Sequence, residues 1–320
     1  MELIVRTNKG MYCPQGDFYV DPYRPVKRAV ITHAHSDHAT LGSLQYYSSK
    51  KTKPLLVSRK VPALIIDDYD YGEIFQINGV NISFHPAGHI LGSSQVRIEY
   101  EGHIWLISGD YKRELDPTCE PYEIVKCDVF ITESTFAIPI YVWPDINETM
   151  EEVHRWWKDC EKVGKTPILL GYSLGKAQRL IAELRKLTDK EIFSYSTITK
   201  LNKDYESLGV SLKNVIDAST EKDIKSLIVA PPQMAESEWI NKFKNVSVAF
   251  ASGWMLTSAG RKQRKFDRGF VVSDHCDWPS LIKSCEQNQP KRVVAHHGSK
   301  DVLEKYLQAK GFSTEDLRSQ

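Results

Sequence analysis

Ala29-Val-Ile-Thr-His33-Ala-His35-Ser-Asp37-His38 is the stretch on which the reading of this chain turns. Its apolar opening predicts a buried strand that runs straight into an H-x-H-x-D-H cluster. Imidazole and carboxylate are the usual ligands of zinc and similar divalent ions. In a turn, alternate residues can point to one side, so His33 and His35 can chelate one ion. Asp37 and His38 can then turn towards a neighbouring one. A polar surface loop that happens to be rich in histidine is the competing reading, and the spacing argues against it.

Partners for such a cluster must come from further along. His89 follows an apolar run in His85-Pro-Ala-Gly88-His89-Ile-Leu-Gly92, where glycines allow close backbone approach to a crowded site. Asp110 closes Trp105-Leu-Ile-Ser-Gly109-Asp110, and a carboxylate has two oxygens with which to bridge two ions. Val293-Val-Ala-His296-His297-Gly298 offers a further imidazole near the C-terminus. Alone, His89 or Asp110 would read as structural; beside the first cluster, both read as ligands.

The rest of the 320 residues frames that chemistry. A formal charge of +1 does not mark a nucleic-acid binder in bulk, although a groove can be basic locally. No apolar run reaches membrane-span length, and Met1-Glu-Leu-Ile-Val-Arg6 is no secretory signal. The six cysteines are scattered without a C-x-x-C pair and read as reduced thiols of a cytoplasmic protein. Phe75–Ile77 and Val80–Phe84 flank Asn78-Gly79, and Val96–Tyr100 and Ile104–Ile107 flank Glu101-Gly102; both are hairpin patterns. Further short apolar runs at Val129, Ile168, Leu227, Val246, Phe270 and Val293 predict buried strands. Asn147 is a candidate cap for a helix carrying Met150, Val153, Trp157 and Cys160 on one face, with Gly164 ending it. A second helix is predicted from Ala177, Leu180, Ile181, Leu184 and Leu187. The change from hairpins to strand–helix alternation after about residue 146 predicts an inserted α/β unit, with the chain returning near residue 265.

Together these residues resemble the metallo-β-lactamase superfamily and, within it, the β-CASP nucleases. Asp21 matches the strand-terminal aspartate of the first superfamily motif, His33 to His38 the second, His89 the third and Asp110 the fourth. Glu133 in Thr132-Glu-Ser-Thr135, His275 in Ser273-Asp-His275 and His297-Gly298 match the three β-CASP motifs. Gly171-Tyr-Ser-Leu-Gly175-Lys-Ala-Gln178 and Ala251-Ser-Gly-Trp-Met255 resemble signature stretches of the β-CASP insert. Tyr12 to Pro22 and Ser108 to Arg113 are most similar to the bacterial ligase-associated DNA exonucleases, a branch also described as mRNA 3′-end processing factors. The resemblance implies an α/β fold: an αββα sandwich (residues 1–145 and 263–320) with an inserted α/β cap (146–262). It implies one ion on His33, His35 and His89, a second on Asp37, His38 and His297, and Asp110 between them. Zinc is the expected metal and manganese the alternative. His297 is preferred to His296 because it precedes the glycine, although Ser299 stands where the family usually has glutamate.

In that reading Asp37 also orients the nucleophile, Glu133 orients His275, and His275 binds the scissile phosphate or protonates the leaving oxygen. Asp21 supports the site from behind. Ser252 and Gly253 are candidates to bind a terminal phosphate. The implied substrate is single-stranded DNA, cut as an exonuclease from the 5′ end, with RNA as the alternative; a DNA ligase and a helicase of a repair system are implied as partners, and no membrane. A small-molecule thioesterase of the same fold would have no use for the insert with Glu133 and His275. A catalytically dead scaffold subunit would have lost ligands, and none is missing. Gly171-x-x-x-Gly175-Lys176 is one spacer short of a P-loop, and Ala177 stands where Ser or Thr should bind magnesium. The run Arg261-Lys-Gln-Arg-Lys265 reads equally as a solvated loop or the lining of a strand channel. Trp254 and Phe136 could stack bases, with core packing the plainer expectation.

Overall fold

The computed structural model of the chain describes residues 1–221, 224–258, 260 and 266–320. They form two compact units, Met1–Val142 with His275–Gln320, and Trp143–Asp274. The basic run at 261–265 lies outside the described residues.

The first unit is mixed α/β. Its first sheet takes six strands in chain order: β1 (Val5–Thr7), β2 (Gly10–Cys13), β3 (Phe18–Val20), β4 (Arg28–Val30), β5 (Gln45–Ser49) and β6 (Ile66–Tyr69). From β3 to β6 the pairing is parallel. Helix α1 (Thr52–Ser58) packs on β5. The second sheet begins with β7 (Phe75–Ile77), β8 (Val80–Pro86), β9 (Ser94–Tyr100), β10 (His103–Ile107) and β11 (Val129–Glu133). Ile77 pairs with Val80 and Tyr100 with His103, so both hairpins turn in two residues. All four turn residues have positive φ, 49° and 82° at Asn78-Gly79 and 49° and 76° at Glu101-Gly102. That is the primed turn whose twist matches the strands.

Period-two alternation divides the second sheet between two environments. Val80, Ile82, Val96, Ile98, Trp105 and Ile107 face a core shared with Leu3, Phe18 and Val20 of the first sheet. Leu106 and Phe130 point the other way, into a second core. Each such side chain contributes roughly 1.5–3 kcal/mol by leaving water.

The second unit is built on a six-stranded sheet: β12 (Thr166–Leu170), β13 (Ile192–Ser194), β14 (Val215–Asp217), β15 (Ile228–Ala230), β16 (Val246–Ala251) and β17 (Arg268–Phe270), in spatial order β14-β13-β15-β12-β16-β17. Every pairing in it is parallel. Helix α2 (Ile146–Lys162) leads into β12, and α3 (Lys176–Leu184) and α4 (Ser196–Ser207) form the crossovers from β12 to β13 and from β13 to β14. The cap of α2 is Asp145, whose carboxylate accepts from the N–H groups of Asn147 and Glu148, so Asn147 lies inside the first turn. An aspartate two residues earlier outcompetes the asparagine because its charge also meets the helix dipole. Leu187 falls beyond the end of α3, and Val271 and Val272 lie past the end of β17.

The chain then returns through α5 (Trp278–Asn288), β18 (Arg292–His296) and α6 (Lys300–Ala309). β18 pairs in parallel with β11 at the edge of the second sheet. Leu281, Cys285, Leu303 and Leu307 of the two helices close the second core over Leu106 and Phe130. The first unit is thus layered α, β, β, α, as an α/β metallo-β-lactamase-like fold requires. Among the described residues no helix is long and apolar enough to cross a membrane.

Candidate metal centre

Strand ends of the first unit supply the site. Asp21 follows β3; Thr32 to His38 follow β4; His89 follows β8 and Asp110 follows β10; Glu133 ends β11; His296 ends β18 and His297 follows it. Within each sheet these strands run in one sense, so their carboxyl ends deliver side chains to one edge. Gly109 lets the two sheets meet there. It has φ +55°, and a Cβ would come within 2.7 Å of the Thr32 side chain.

His33, His35, His89 and Asp110 each offer one ligand atom, and these atoms all lie within 4.8 Å of one another. His33 Nε2 is 3.0 Å and His89 Nε2 is 3.1 Å from His35 Nδ1. Asp110 Oδ2 is 3.7 Å from His33 Nε2 and 3.8 Å from His89 Nε2. Ring nitrogens so gathered fit a cation, since ligands at about 2.0–2.1 Å in a tetrahedron stand about 3.3 Å apart. The donor set therefore suits a divalent metal, and the clusters could hold ions without disclosing which.

His38 is set from behind. Its Nδ1 is 2.8 Å from Asp21 Oδ2, and its Nε2 is 3.4 Å from Asp110 Oδ2 and 3.8 Å from Asp37 Oδ2. Asp21, buried at φ 43°, also accepts from the Thr32 N–H at 2.8 Å and the Thr32 hydroxyl at 2.6 Å. Asp37 and His297 are exposed at the rim, where they line one small cavity with Tyr23, His38, Asp110 and His296. The His297 ring lies 6.2 Å from that of His38, whereas His296 Nε2 sits 3.3 Å from the Tyr23 hydroxyl. His297 and Gly298 turn with φ 59° and 62°. A Cβ on Gly298 would strike the Ser134 carbonyl.

Beside this donor set stands a second pair. Glu133 accepts from the Tyr111 N–H at 2.7 Å and the Thr135 hydroxyl at 2.6 Å, and its Oε2 is 2.8 Å from His275 Nδ1. His275 Nδ1 is also 4.0 Å from Asp110 Oδ2, and its ring lies 4.9 Å from that of His89. Phe136 is buried, with its ring 5.9 Å from that of His275. Ser252 and Gly253 lie in the other unit, at the end of β16. The Ser252 hydroxyl is occupied in capping the Trp254 N–H at 3.4 Å, and the Trp254 side chain is exposed.

Burial sets the charge states, and the neighbours then decide them. Burial and the facing His38, His35 and His89 hold His33 well below the usual imidazole range, which leaves it the neutral ligand form. Burial works against charge on Asp110 as well, but His38, His275 and His33 hold its carboxyl well below the usual range. For His38 burial is outweighed by Asp110 and Asp21, so its pKa is raised well above the ordinary value. Burial and His38 lower His297, and burial with His297 pushes His296 down to about 3. Sequence reading missed Thr32, Thr135, Tyr23 and the Tyr111 amide; Thr32, adjacent to His33, and Thr135, two residues after Glu133, carried a local signal.

No family model matches the chain. A protein named "Probable DNA ligase" from Opitutus terrae is 28% identical over 310 residues, covering 96% of this chain and 30% of that protein. An "RNase J-like protein" from Methanocaldococcus jannaschii is 26% identical over 231 residues, 61% of this chain and 54% of the relative. "Endoribonuclease YSH1" from Gibberella zeae is 33% identical over 122 residues, 36% of this chain and 14% of the relative. The chain resembles the β-CASP nucleases of the metallo-β-lactamase superfamily. It spans about a third of the length of the Opitutus terrae relative and about half of that from Methanocaldococcus jannaschii. A crystal structure of a protein of unknown function from Enterococcus faecalis V583 shares the fold, with TM-score 0.62 at 13% identity over 92% of this chain and 79% of that one.

Proposed function

We propose that the chain is a two-metal phosphodiesterase that degrades single-stranded DNA as an exonuclease, from the 5′ end. The observation that carries this reading is the Glu133–His275 pair set 2.8 Å apart beside Asp110, an acid–base element over and above a set of metal donors. In this reading the first unit is the metallo-β-lactamase domain and Trp143–Asp274 the β-CASP cap.

His33, His35 and His89 would hold one divalent ion, and Asp37, His38 and His297 the other, with Asp110 shared. Zinc fits the imidazole-rich set, and manganese is the alternative. When bound, such ions polarise a phosphoryl oxygen and lower the pKa of water. Asp37, exposed at the rim, orients the attacking water in line with the phosphorus. Glu133 holds His275 by Nδ1, which directs the other ring nitrogen to the phosphate or to the leaving oxygen that takes its proton. Asp21 fixes His38 in the tautomer with Nε2 turned to Asp110. Ser252 and the Gly253 amide are the candidates for a terminal phosphate, and the serine would exchange its capping bond for it.

The choice of DNA is supported by the "Probable DNA ligase" relative, which aligns over 96% of the chain. A ligase, and with it a helicase of the same repair process, are the proposed partners. Six free thiols support a cytoplasmic setting. The names of the RNase J-like and YSH1 relatives favour the second reading, an RNA-processing nuclease. The deciding assay compares linear and circular single strands of DNA and RNA, with and without a 5′ phosphate, under zinc, manganese and magnesium. Degradation of linear DNA from the 5′ end is expected. Efficient cutting of circles, 3′-end degradation, or preference for RNA under every metal would overturn it.

A further inference from the structure

We propose that Lys176, Arg179 and Asp274 form a buried latch that positions His275; the proposal rests on the catalytic reading of His275 given above. Helix α3 opens with two cations whose side chains are all but sealed from water, 4% exposed for Lys176 and 1% for Arg179. Burying a cation is costly, and an apolar pair of the same size would hold a helix at least as firmly. What an ion pair adds is direction, and here both cations are directed at the same three consecutive residues. Lys176 Nζ donates to the Val272 carbonyl at 2.8 Å, and Arg179 Nη1 donates to the Ser273 carbonyl at 2.6 Å. The Asp274 carboxylate, itself 6% exposed, lies 3.1 Å from Lys176 Nζ and 3.8 Å from Arg179 Nη1. The next residue in the chain is His275.

The local backbone makes this possible. β17 stops at Phe270, so the carbonyls of Val272 and Ser273 are released from the ladder and turned to the helix. Gly175 has φ 89°, and its N–H donates to the Gln178 side chain at 2.8 Å, which fixes where α3 begins and hence where Lys176 and Arg179 point. On the downstream side the Cys276 N–H donates at 2.8 Å to the carbonyl of Tyr111, whose own N–H donates to Glu133. His275 therefore follows directly on a pinned stretch of backbone. The glycine-lysine turn, which lacks the residues of a nucleotide site, is given a use: it sets the origin of the segment that presents the imidazole.

A latch that acts only on stability would lower the melting temperature and act independently of His275. A positioning latch must act through it. The test uses the full chain loaded with metal and a single-stranded DNA oligonucleotide. Asp274→Asn and Arg179→Lys are each measured alone and combined with His275→Ala, for kcat, KM, metal content and melting. We expect Asp274→Asn to lose ~10–10²-fold in kcat, the scale of an ångström-sized misplacement, with KM and metal content little changed. Combined with His275→Ala it should lose nothing more, because the residue it positions is gone. Arg179→Lys should keep part of the rate, and it carries the same cycle if Asp274→Asn does not fold. Equal losses in both backgrounds, or full activity of the latch variants while His275→Ala is impaired, would overturn the latch alone. Full activity of His275→Ala would remove the catalytic reading and the latch with it.

Discussion

Replacing Asp21 by asparagine changes one atom and should unseat one ion. The carboxylate takes three groups, the Thr32 N–H at 2.8 Å, the Thr32 hydroxyl at 2.6 Å and His38 Nδ1 at 2.8 Å. In Asp21→Asn the amide oxygen can keep the Thr32 N–H, but the amide nitrogen then faces His38. To accept from it, His38 must move its proton from Nδ1 to Nε2, the atom that stands 3.4 Å from Asp110 Oδ2. A protonated Nε2 cannot ligate. Loss of such a supporting contact weakens metal binding by ~10–100-fold, or about 1.4–2.8 kcal/mol. The fold should suffer by about 1–3 kcal/mol, since a charge-assisted bond becomes a neutral one in a buried place. Chelator competition on the purified variant should show the second equivalent of zinc weakened in that range and the first weakened less, because Asp21 meets His38 directly but reaches His33 through the Thr32 hydroxyl, 3.0 Å from His33 Nδ1. Two equivalents bound as tightly as in the parent, or loss of the first with retention of the second, would refute the tautomer argument.

Asp110→Ala removes the carboxylate within reach of both donor groups, so both ions and all phosphodiester cleavage should be lost; elemental analysis and an oligonucleotide assay check this. His275→Ala should retain two ions by the same analysis yet lose ~10²–10⁴-fold in cleavage, and Glu133→Gln should act in the same direction but less. In metal-free protein His296 has a folded pKa of about 3 against an ordinary 6.5, so the unfolded state binds the extra proton between those values. Stability should fall as pH drops through that window, by up to ~1.4 kcal/mol per unit for this group. Urea midpoints at pH 7 and 5 should show a shallower decline for His296→Gln; an unchanged slope would mean that His296 does not titrate as its burial implies.

The parts legible in sequence are those whose cause is local. The two hairpins are written in Asn78-Gly79 and Glu101-Gly102, because positive φ selects Asn and Gly at the first turn and Gly102 at the second. The first candidate metal donors are legible because His33 and His35 are two residues apart on one turn, and Asp110 and His89 each follow an apolar run. β5 and β6 were not visible: Gln-Tyr-Tyr-Ser-Ser and Ile-Asp-Asp-Tyr show no apolar run. Ser49 is buried there because its hydroxyl donates to the Gly92 carbonyl at 2.7 Å, a partner 43 residues away. The same reason hid the Tyr111 amide, whose partner Glu133 lies 22 residues away. Asn147 misled because a good cap, Asp145, lies two residues earlier. Nothing in the composition of α3 told its buried cations from surface ones, since Lys176 and Arg179 meet the carbonyls of Val272 and Ser273, 96 and 94 residues further along the chain.

The place of β18 at the margin of the second sheet bears on how the chain is made. Five strands of that sheet leave the ribosome early, and β11 then offers a bare row of amides and carbonyls until Arg292–His296 arrives. About 160 residues intervene, or roughly 8–30 s at ordinary elongation rates. An unpaired edge of that length of exposure is a template for adding a strand from another molecule. His33, His35, His89 and Asp110 have all been synthesised by then, so metal captured by the nascent chain could stiffen the half-built sandwich during the wait. Yield on expression should therefore respond to metal in the medium, even though the last donor, His297, is added only after the edge is sealed.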